Sequence, residues 1–361
     1  MTMTTNFDNK PADLSLQQLL TDLMEKRRVP GLQFAAIREG KILALEALGT
    51  ADLEHDVPVS HESVFSINSM TKAFTGVALM QLVEAGLLDL EAPIGQYLED
   101  LPATWLSITV RQLATLTSGV PEIMEYSPEG SARLIGDGDE EGAWAAVYAA
   151  PMQFETGRGY NYVQTNFALL GKIIDQLAGK PFSAFIREKQ FDVAGMPSTV
   201  YADDRDIIRH RANTYMSIDP NGEPNGRFDN SFINWPPIVR TAAGLHSTAA
   251  DLASWLIALR GGKLLREQSS LDELWAPVPQ YTGEPGLWGI GWIIAQSPSG
   301  NIPAPGGGAK AQLALYPNGL SLVLLTNMLG AFVTEHMGVP ANKPMDISFL
   351  DALAAHYNRE S

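Results

Sequence analysis

The sequence predicts an α/β layer domain assembled from both ends of the chain and interrupted by a helical insertion. Three observations predict it. Strand-like runs lie near both termini, the stretch between them carries helical pieces with little strand signal, and a strongly apolar helical run follows the first strands. A chain of 361 residues is long enough to bury a large core in such an arrangement. The division it implies is 10–90 for the N-terminal part of the α/β domain, 91–240 for the insertion and 241–361 for the C-terminal part.

The elements follow in order. Residues 14–28 read as a mildly amphipathic helix through Leu16, Leu19, Leu20, Leu23 and Met24. Leu32 to Arg38 and Lys41 to Leu48 read as strands joined at Glu39-Gly40, a hairpin signal. Met70 to Ala85 reads as a helix stopped by Gly86. The Pro- and Gly-rich middle contains helical stretches at Thr109–Leu116, Glu140–Ala149, Thr165–Ala178 and Pro181–Phe191. Ser247-Thr248 caps a helix through Leu259, with Asp251 placed to supply the reciprocal capping carboxylate. Trp288–Ala295, Gln312–Tyr316 and Leu320–Thr326 read as strands, the last two joined at Asn318-Gly319, and Met345–Tyr357 closes the chain as a helix.

Composition narrows the function. A formal net charge of −16 argues against nucleic acid and anionic membrane surfaces as partners. Cysteine is absent, which excludes disulfides, thiolate catalysis and zinc–cysteine sites. No apolar run is long enough to span a bilayer, and the N-terminus lacks the pattern of a secretory signal, so the sequence as it stands reads as cytoplasmic. The histidines form no His-Glu-x-x-His pair, and His55, between Glu54 and Asp56, reads as a surface residue. No metal or cofactor is expected. Gly-x-Ser-x-Gly and Walker motifs are missing, which removes the α/β-hydrolase and nucleotide readings.

Chemistry concentrates at Ser69-Met70-Thr71-Lys72. A serine in the first turn of a helix lies near unpaired N–H groups and the positive end of the helix dipole. A lysine three residues on shares its face, so the pair supplies a nucleophile and a candidate base without histidine. The same spacing fits an N-cap serine followed by a solvated lysine. Ala73-Phe74-Thr75-Gly76-Val77-Ala78-Leu79 is, however, an apolar setting for a surface lysine. Bringing a lysine from about 10.4 to near neutrality takes roughly 4 kcal/mol, which burial can supply. The alternative keeps Lys72 cationic beside a tyrosine phenolate that moves the proton.

Together these runs resemble the serine β-lactamase-like superfamily of class C β-lactamases, low-molecular-weight penicillin-binding proteins, D-amino-acid peptidases and family VIII carboxylesterases. The matching runs, in order, are Val29-Pro30-Gly31-Leu32, Ser69 through Gly76, Leu82 through Leu90, Ile108 through Leu113 and Thr117-Ser118-Gly119. They continue in Ala243 through Leu252, Gly289-Ile290-Gly291-Trp292, Leu315 through Gly319 and Leu325-Thr326-Asn327. The resemblance implies a β-lactamase/DD-peptidase-like fold, an antiparallel sheet flanked by helices with a helical insertion domain.

It also implies site residues. The family's Tyr-x-Asn falls on Tyr162-Val163-Gln164, with glutamine in place of asparagine and Tyr160 a rival to Tyr162. The family's Lys-Thr-Gly or His-x-Gly falls on Pro305-Gly306-Gly307, with no cation or imidazole at its first position. That disfavours β-lactams and peptide carboxylates as substrates. The backbone role survives such a change, because an oxyanion hole needs N–H groups, here those of Ser69 and Gly308. Gln164, Pro305, Gly306, Gly307 and Trp235 are the expected substrate contacts, while Lys310 cannot be placed by strand alternation.

The expected activity is therefore a serine hydrolase with Ser69, Lys72 and Tyr162 as its catalytic centre and a small-molecule ester or amide as substrate, esters favoured. A cytosolic acyltransferase would use the same acyl-enzyme. A β-lactamase, a D-peptidase or a silent binding protein fits less well. The oligomeric state is left open.

Overall fold

A computed structural model describes residues 15–126, 132–203, 205–218, 224–231, 234–279, 286–308, 311–329 and 347–359. The N-terminal segment contains helix α1 (Leu16–Arg27), capped by the Ser15 hydroxyl, and strands β1 (Gly31–Arg38), β2 (Lys41–Asp52), β3 (Val57–Pro58) and β4 (Phe65–Ser66). Helix α2 (Thr71–Glu84) follows a 3₁₀ turn at Asn68–Met70. The middle contributes α3 (Val110–Ala114), the β5–β6 hairpin (Met124–Tyr126, Ala132–Leu134), α4 (Glu140–Ala149), α5 (Thr165–Ala178), α6 (Phe182–Ile186) and α7 (Asp192–Ala194). Strands β7 (Val200–Tyr201), β8 (Tyr215–Ile218) and β9 (Pro224–Asn230) lead to α8 (Arg240–Ala243). Then come β10 (Leu245–Ser247), α9 (Ala249–Arg260) and α10 (Gln268–Trp275). The chain ends with β11 (Ile294–Ser297), β12 (Gly300–Pro303), β13 (Gly306–Gly307), β14 (Ala311–Leu315), β15 (Ser321–Thr326), β16 (Met328–Leu329) and α11 (Ser348–Arg359).

The main sheet runs β13-β14-β15-β1-β2-β3, every neighbouring pair antiparallel. Strands from both ends of the chain thus meet at its centre, with Phe34 opposite Leu324 and Glu46. Strand alternation sends Leu32, Phe34 and Ala36 to one face, where they pack with Leu322, Leu324, Leu20 of α1 and Leu350 and Leu353 of α11. Ala35, Ile37, Val323 and Leu325 face the other way, into the core that contains α2, α5 and α9. Burial on both faces is why β1 reads as a nearly continuous apolar run.

Helix α2 is buried almost all round, which matches its uniformly apolar sequence. Among the described residues no helix is long and apolar enough to cross a membrane.

Several expectations need correction. The middle of the chain holds short strands (β5 to β9) that its Pro- and Gly-rich composition hides, because two- to seven-residue pairings leave little periodicity. The helix expected over Pro181–Phe191 passes into a π-helical turn at Arg187–Phe191. Trp288–Ala295 is not one strand. Trp288 bridges to Ile293 across a tight reversal, and the regular strand begins only at Ile294. Gly291, at φ 73°, permits that reversal, and a Cβ there would lie 2.4 Å from the Lys72 carbonyl oxygen, so the turn presses directly on α2.

The Asn318-Gly319 connection is also not a two-residue turn. The Gly319 N–H donates to the Tyr316 carbonyl and the Tyr316 N–H to Leu320, with only Gly319 left-handed. Pro317 has no N–H to give to the Leu320 carbonyl across a two-residue Asn-Gly turn, so the Tyr316 N–H makes that bond and the loop is one residue longer. At α9 the Thr248 hydroxyl accepts from the Asp251 N–H as expected. The Asp251 carboxylate instead accepts from the Ser198 N–H and the Thr199 hydroxyl, tying α9 to the segment before β7.

Candidate active site

Ser69 lies in the 3₁₀ turn that feeds α2, half-buried and therefore reachable. Its predecessor Asn68 takes the left-handed conformation at φ 44°, which asparagine tolerates better than most residues. The Asn68 Oδ1 accepts from the Ser66 hydroxyl at 3.1 Å and from the Trp235 indole at 3.3 Å, which holds the turn from both sides.

Lys72 follows one helical turn later and is 1 % exposed. Its Nζ donates to the Gln164 Oε1 at 3.0 Å, the Ala242 carbonyl at 3.0 Å and the Ser69 Oγ at 3.3 Å. The rings of Tyr162 and Phe167 lie 4.7 Å and 5.1 Å from the amine. Burial lowers the amine's pKa to about 7, an effect the negative Glu122 opposes.

Other elements hold these partners in place. The Thr75 hydroxyl donates to the Thr241 carbonyl and the Thr241 hydroxyl to the Phe167 carbonyl, which fixes α8 between α2 and α5 and brings the Ala242 carbonyl to Lys72. The segment before α5 is laced to residues 116–121. The N–H groups of Gln153, Gly157 and Asn161 donate to the carbonyls of Gly119, Thr117 and Leu116, and the Thr165 hydroxyl donates to the Pro121 carbonyl. This lacing carries Tyr162 to Ser69, where its hydroxyl donates to the Ser69 Oγ at 2.8 Å. Burial raises the Tyr162 phenol well above its ordinary value, so it is neutral at neutral pH.

Ser69, Lys72, Tyr162 and Gln164 thus converge. Tyr160, the rival tyrosine, instead pairs with the Trp288 indole, whose ring also packs 5.7 Å from that of Tyr162. Pro305, Gly306, Gly307 and Gly308 are buried at the sheet edge beside the Ser69 turn. A Cβ on Gly307 would sit 2.0 Å from the Ile67 carbonyl oxygen and 3.3 Å from the Ser69 N, so only glycine lets β13 approach this closely. Trp235 is 9 % exposed and meets the site through Asn68. Lys310 lies outside the described residues.

Sequence reasoning missed Glu122. Its carboxylate accepts from the Gln164 N–H at 2.9 and 3.1 Å and from the Met124 N–H at 3.1 Å. Burial raises its pKa to about 7 against the pull of these N–H donors and of Lys72. A carboxylate set in the apolar run Val120-Pro121-Glu122-Ile123-Met124, just past the Thr117-Ser118-Gly119 match, was the available signal. The Ala242 carbonyl and Asn68 had none, since backbone acceptors and turn geometry leave little trace in sequence. Asp52, Glu54 and His55 are clustered closely enough to hold a cation, but His55 is largely exposed and bonded to Asp52.

Comparison with known proteins places this geometry in context. Residues 16–337 match the family described as Beta-lactamase. The chain is 27% identical over 302 residues to Penicillin-binding protein 4* of Bacillus subtilis, covering 81% of this chain and 66% of that protein. It is 24% identical over 198 residues to Protein flp of Staphylococcus aureus, covering 53% of this chain and 39% of that protein. The chain therefore spans only part of the length of these relatives. Esterase EstB of Burkholderia gladioli is 25% identical, with 94% of both chains covered. Among solved structures, the D-amino acid amidase of Ochrobactrum anthropi SV3 complexed with D-phenylalanine superimposes with a TM-score of 0.77 at 25% identity, covering 96% of this chain and 98% of that one.

Proposed function

The chain belongs to the beta-lactamase family, and from that premise we propose that it is a serine hydrolase cleaving ester bonds through an acyl-enzyme on Ser69. One observation carries the reading: a single hydroxyl, Ser69 Oγ, has the Lys72 amine at 3.3 Å and the Tyr162 hydroxyl at 2.8 Å.

The amine's surroundings favour Lys72 as the base. A neutral amine has two N–H bonds and one lone pair. The Gln164 Oε1 and the Ala242 carbonyl, both pure acceptors, take the two N–H bonds. The lone pair is then left facing the Ser69 hydroxyl, ready to accept its proton as the oxygen attacks the acyl carbonyl. Tyr162, neutral and bonded to the same oxygen, relays the proton onward to the leaving alkoxide. The N–H groups of Ser69 and Gly308 hold the oxyanion. Water then attacks the acyl-enzyme by the same route in reverse and regenerates Ser69.

Charge favours a neutral ester over a carboxylated substrate. Pro305 stands where relatives carry a cation, and the carboxyl-bearing Glu122 lies behind the centre. Amide cleavage is the second reading, supported by the likeness to a D-amino acid amidase. An acyltransferase would share the acyl-enzyme and differ in consuming an amine or alcohol in place of water.

Ser69→Ala should abolish hydrolysis of a short-chain p-nitrophenyl ester and labelling by a fluorophosphonate. A panel of esters, amides and nucleophilic acceptors, with mass spectrometry of the trapped adduct, assigns the acyl group. Undiminished turnover in Ser69→Ala would refute the reading.

A further inference from the structure

Glu122 is a carboxyl brought into an enclosed catalytic centre and held there by the backbone. Three peptide groups, those of Ile123, Met124 and Gln164, donate to it. The Gln164 N–H is shared between both of its oxygens, and the same residue's side-chain oxygen accepts from Lys72. Glu122 and the amine are thus linked through one residue as well as through their fields. Among the described residues, the other groups facing the pair are neutral. Tyr162 and Tyr126 lie near Glu122, while Lys72 meets Ser69, the Ala242 carbonyl of α8 and the ring of Phe167.

We propose that Glu122 is a positioning residue of this centre: it fixes Gln164, and its charge governs whether Lys72 carries a proton or offers its lone pair to Ser69. The proposal rests on Ser69 and Lys72 acting as nucleophile and base. Two arrangements of the pair have the same net charge, carboxylate with ammonium and carboxylic acid with amine. Only the second supplies a base. Burial pushes the carboxyl up and the amine down, and both shifts favour the second arrangement, while the attraction between opposite charges favours the first. No proton passes from Glu122 to substrate. In acylation the Ser69 proton goes to Lys72 and on to the leaving group, while Glu122 sets only the starting state.

Glu122→Gln tests this. The amide oxygen still accepts from the Gln164 N–H, but the negative charge that keeps a proton on Lys72 is gone. The acid limb of the kcat/KM profile should move to lower pH by about one unit, the scale of a nearby opposite charge. Glu122→Asp, which keeps the charge, should retain the limb of the parent enzyme. A folded Glu122→Gln enzyme whose acid limb stays in place overturns the proposal. So does a change confined to KM with the pH profile intact, because that would make Glu122 a substrate contact.

If Glu122→Gln does not fold, Lys72→Met gives the reciprocal measurement, since coupling between two sites acts equally on both. Infrared difference spectra should then show a protonated buried carboxyl persisting to higher pH than in the parent, and an unmoved band overturns the proposal. Ser69→Ala separates the two layers. An active Ser69→Ala removes the reading beneath, whereas an inactive one with an unmoved acid limb in Glu122→Gln removes only this inference.

Discussion

Lys72 is expensive for the fold, and its cost depends on pH in a defined direction. In the unfolded chain the amine titrates near its ordinary value of 10.5, and in the folded protein at about 7. Between those values the unfolded state binds the extra proton, so this residue's contribution makes stability rise with pH from about 7 to 10.5. Below that window both states are protonated and the penalty of the buried charge is present in full. Lys72→Met should therefore flatten the pH dependence of Tm across the window, measured against the parent by calorimetry, and should lower kcat by roughly 10²-fold or more. An unchanged Tm slope would show that the amine remains charged without penalty.

At the scale of elements, the centre depends on backbone closeness as much as on side chains. Strand β13 lies against the Ser69 turn at Gly307, and the Gly289–Trp292 reversal lies against α2 at the Lys72 carbonyl. These contacts brace Ser69 and Lys72, the proposed nucleophile and base, from opposite ends of one helix turn. Gly307→Ala would place a methyl 2.0 Å from the Ile67 carbonyl oxygen and must push the strand or the turn aside. A displacement of about 1 Å is enough to cost roughly 10²-fold in kcat/KM, which steady-state kinetics on the ester substrate would read. A variant with parent kinetics would mean that the strand edge does not hold the acyl group.

Across the whole molecule the sheet separates two cores with different tasks. One lies between the sheet and the terminal helices, the other contains α2 and α5 and has Tyr162 packed against it. Phe34, fully buried in the first, points away from the site. Phe34→Ala should lower stability by about 3–5 kcal/mol, the usual range for a core phenylalanine, as measured by denaturant midpoint. Turnover per folded molecule should hold. Loss of turnover in a still-folded variant would show that the sheet transmits strain between its faces.

The amino-acid sequence by itself determined the α/β class, the strands β1, β2, β14 and β15, the helix behind Ser69 and the spacing of Ser69 and Lys72. Each is a local matter of periodicity, caps and neighbours. Strand pairing, by contrast, joins residues some 290 positions apart, as where Leu32 meets Thr326. The contact of Tyr162 with Ser69, the carbonyl of Ala242 at Lys72 and the approach of Glu122 were decided only by the tertiary structure. They depend on which backbone groups remain unpaired and which side chains lose their water once α5 and α8 pack against α2, and neither exists until the chain has folded.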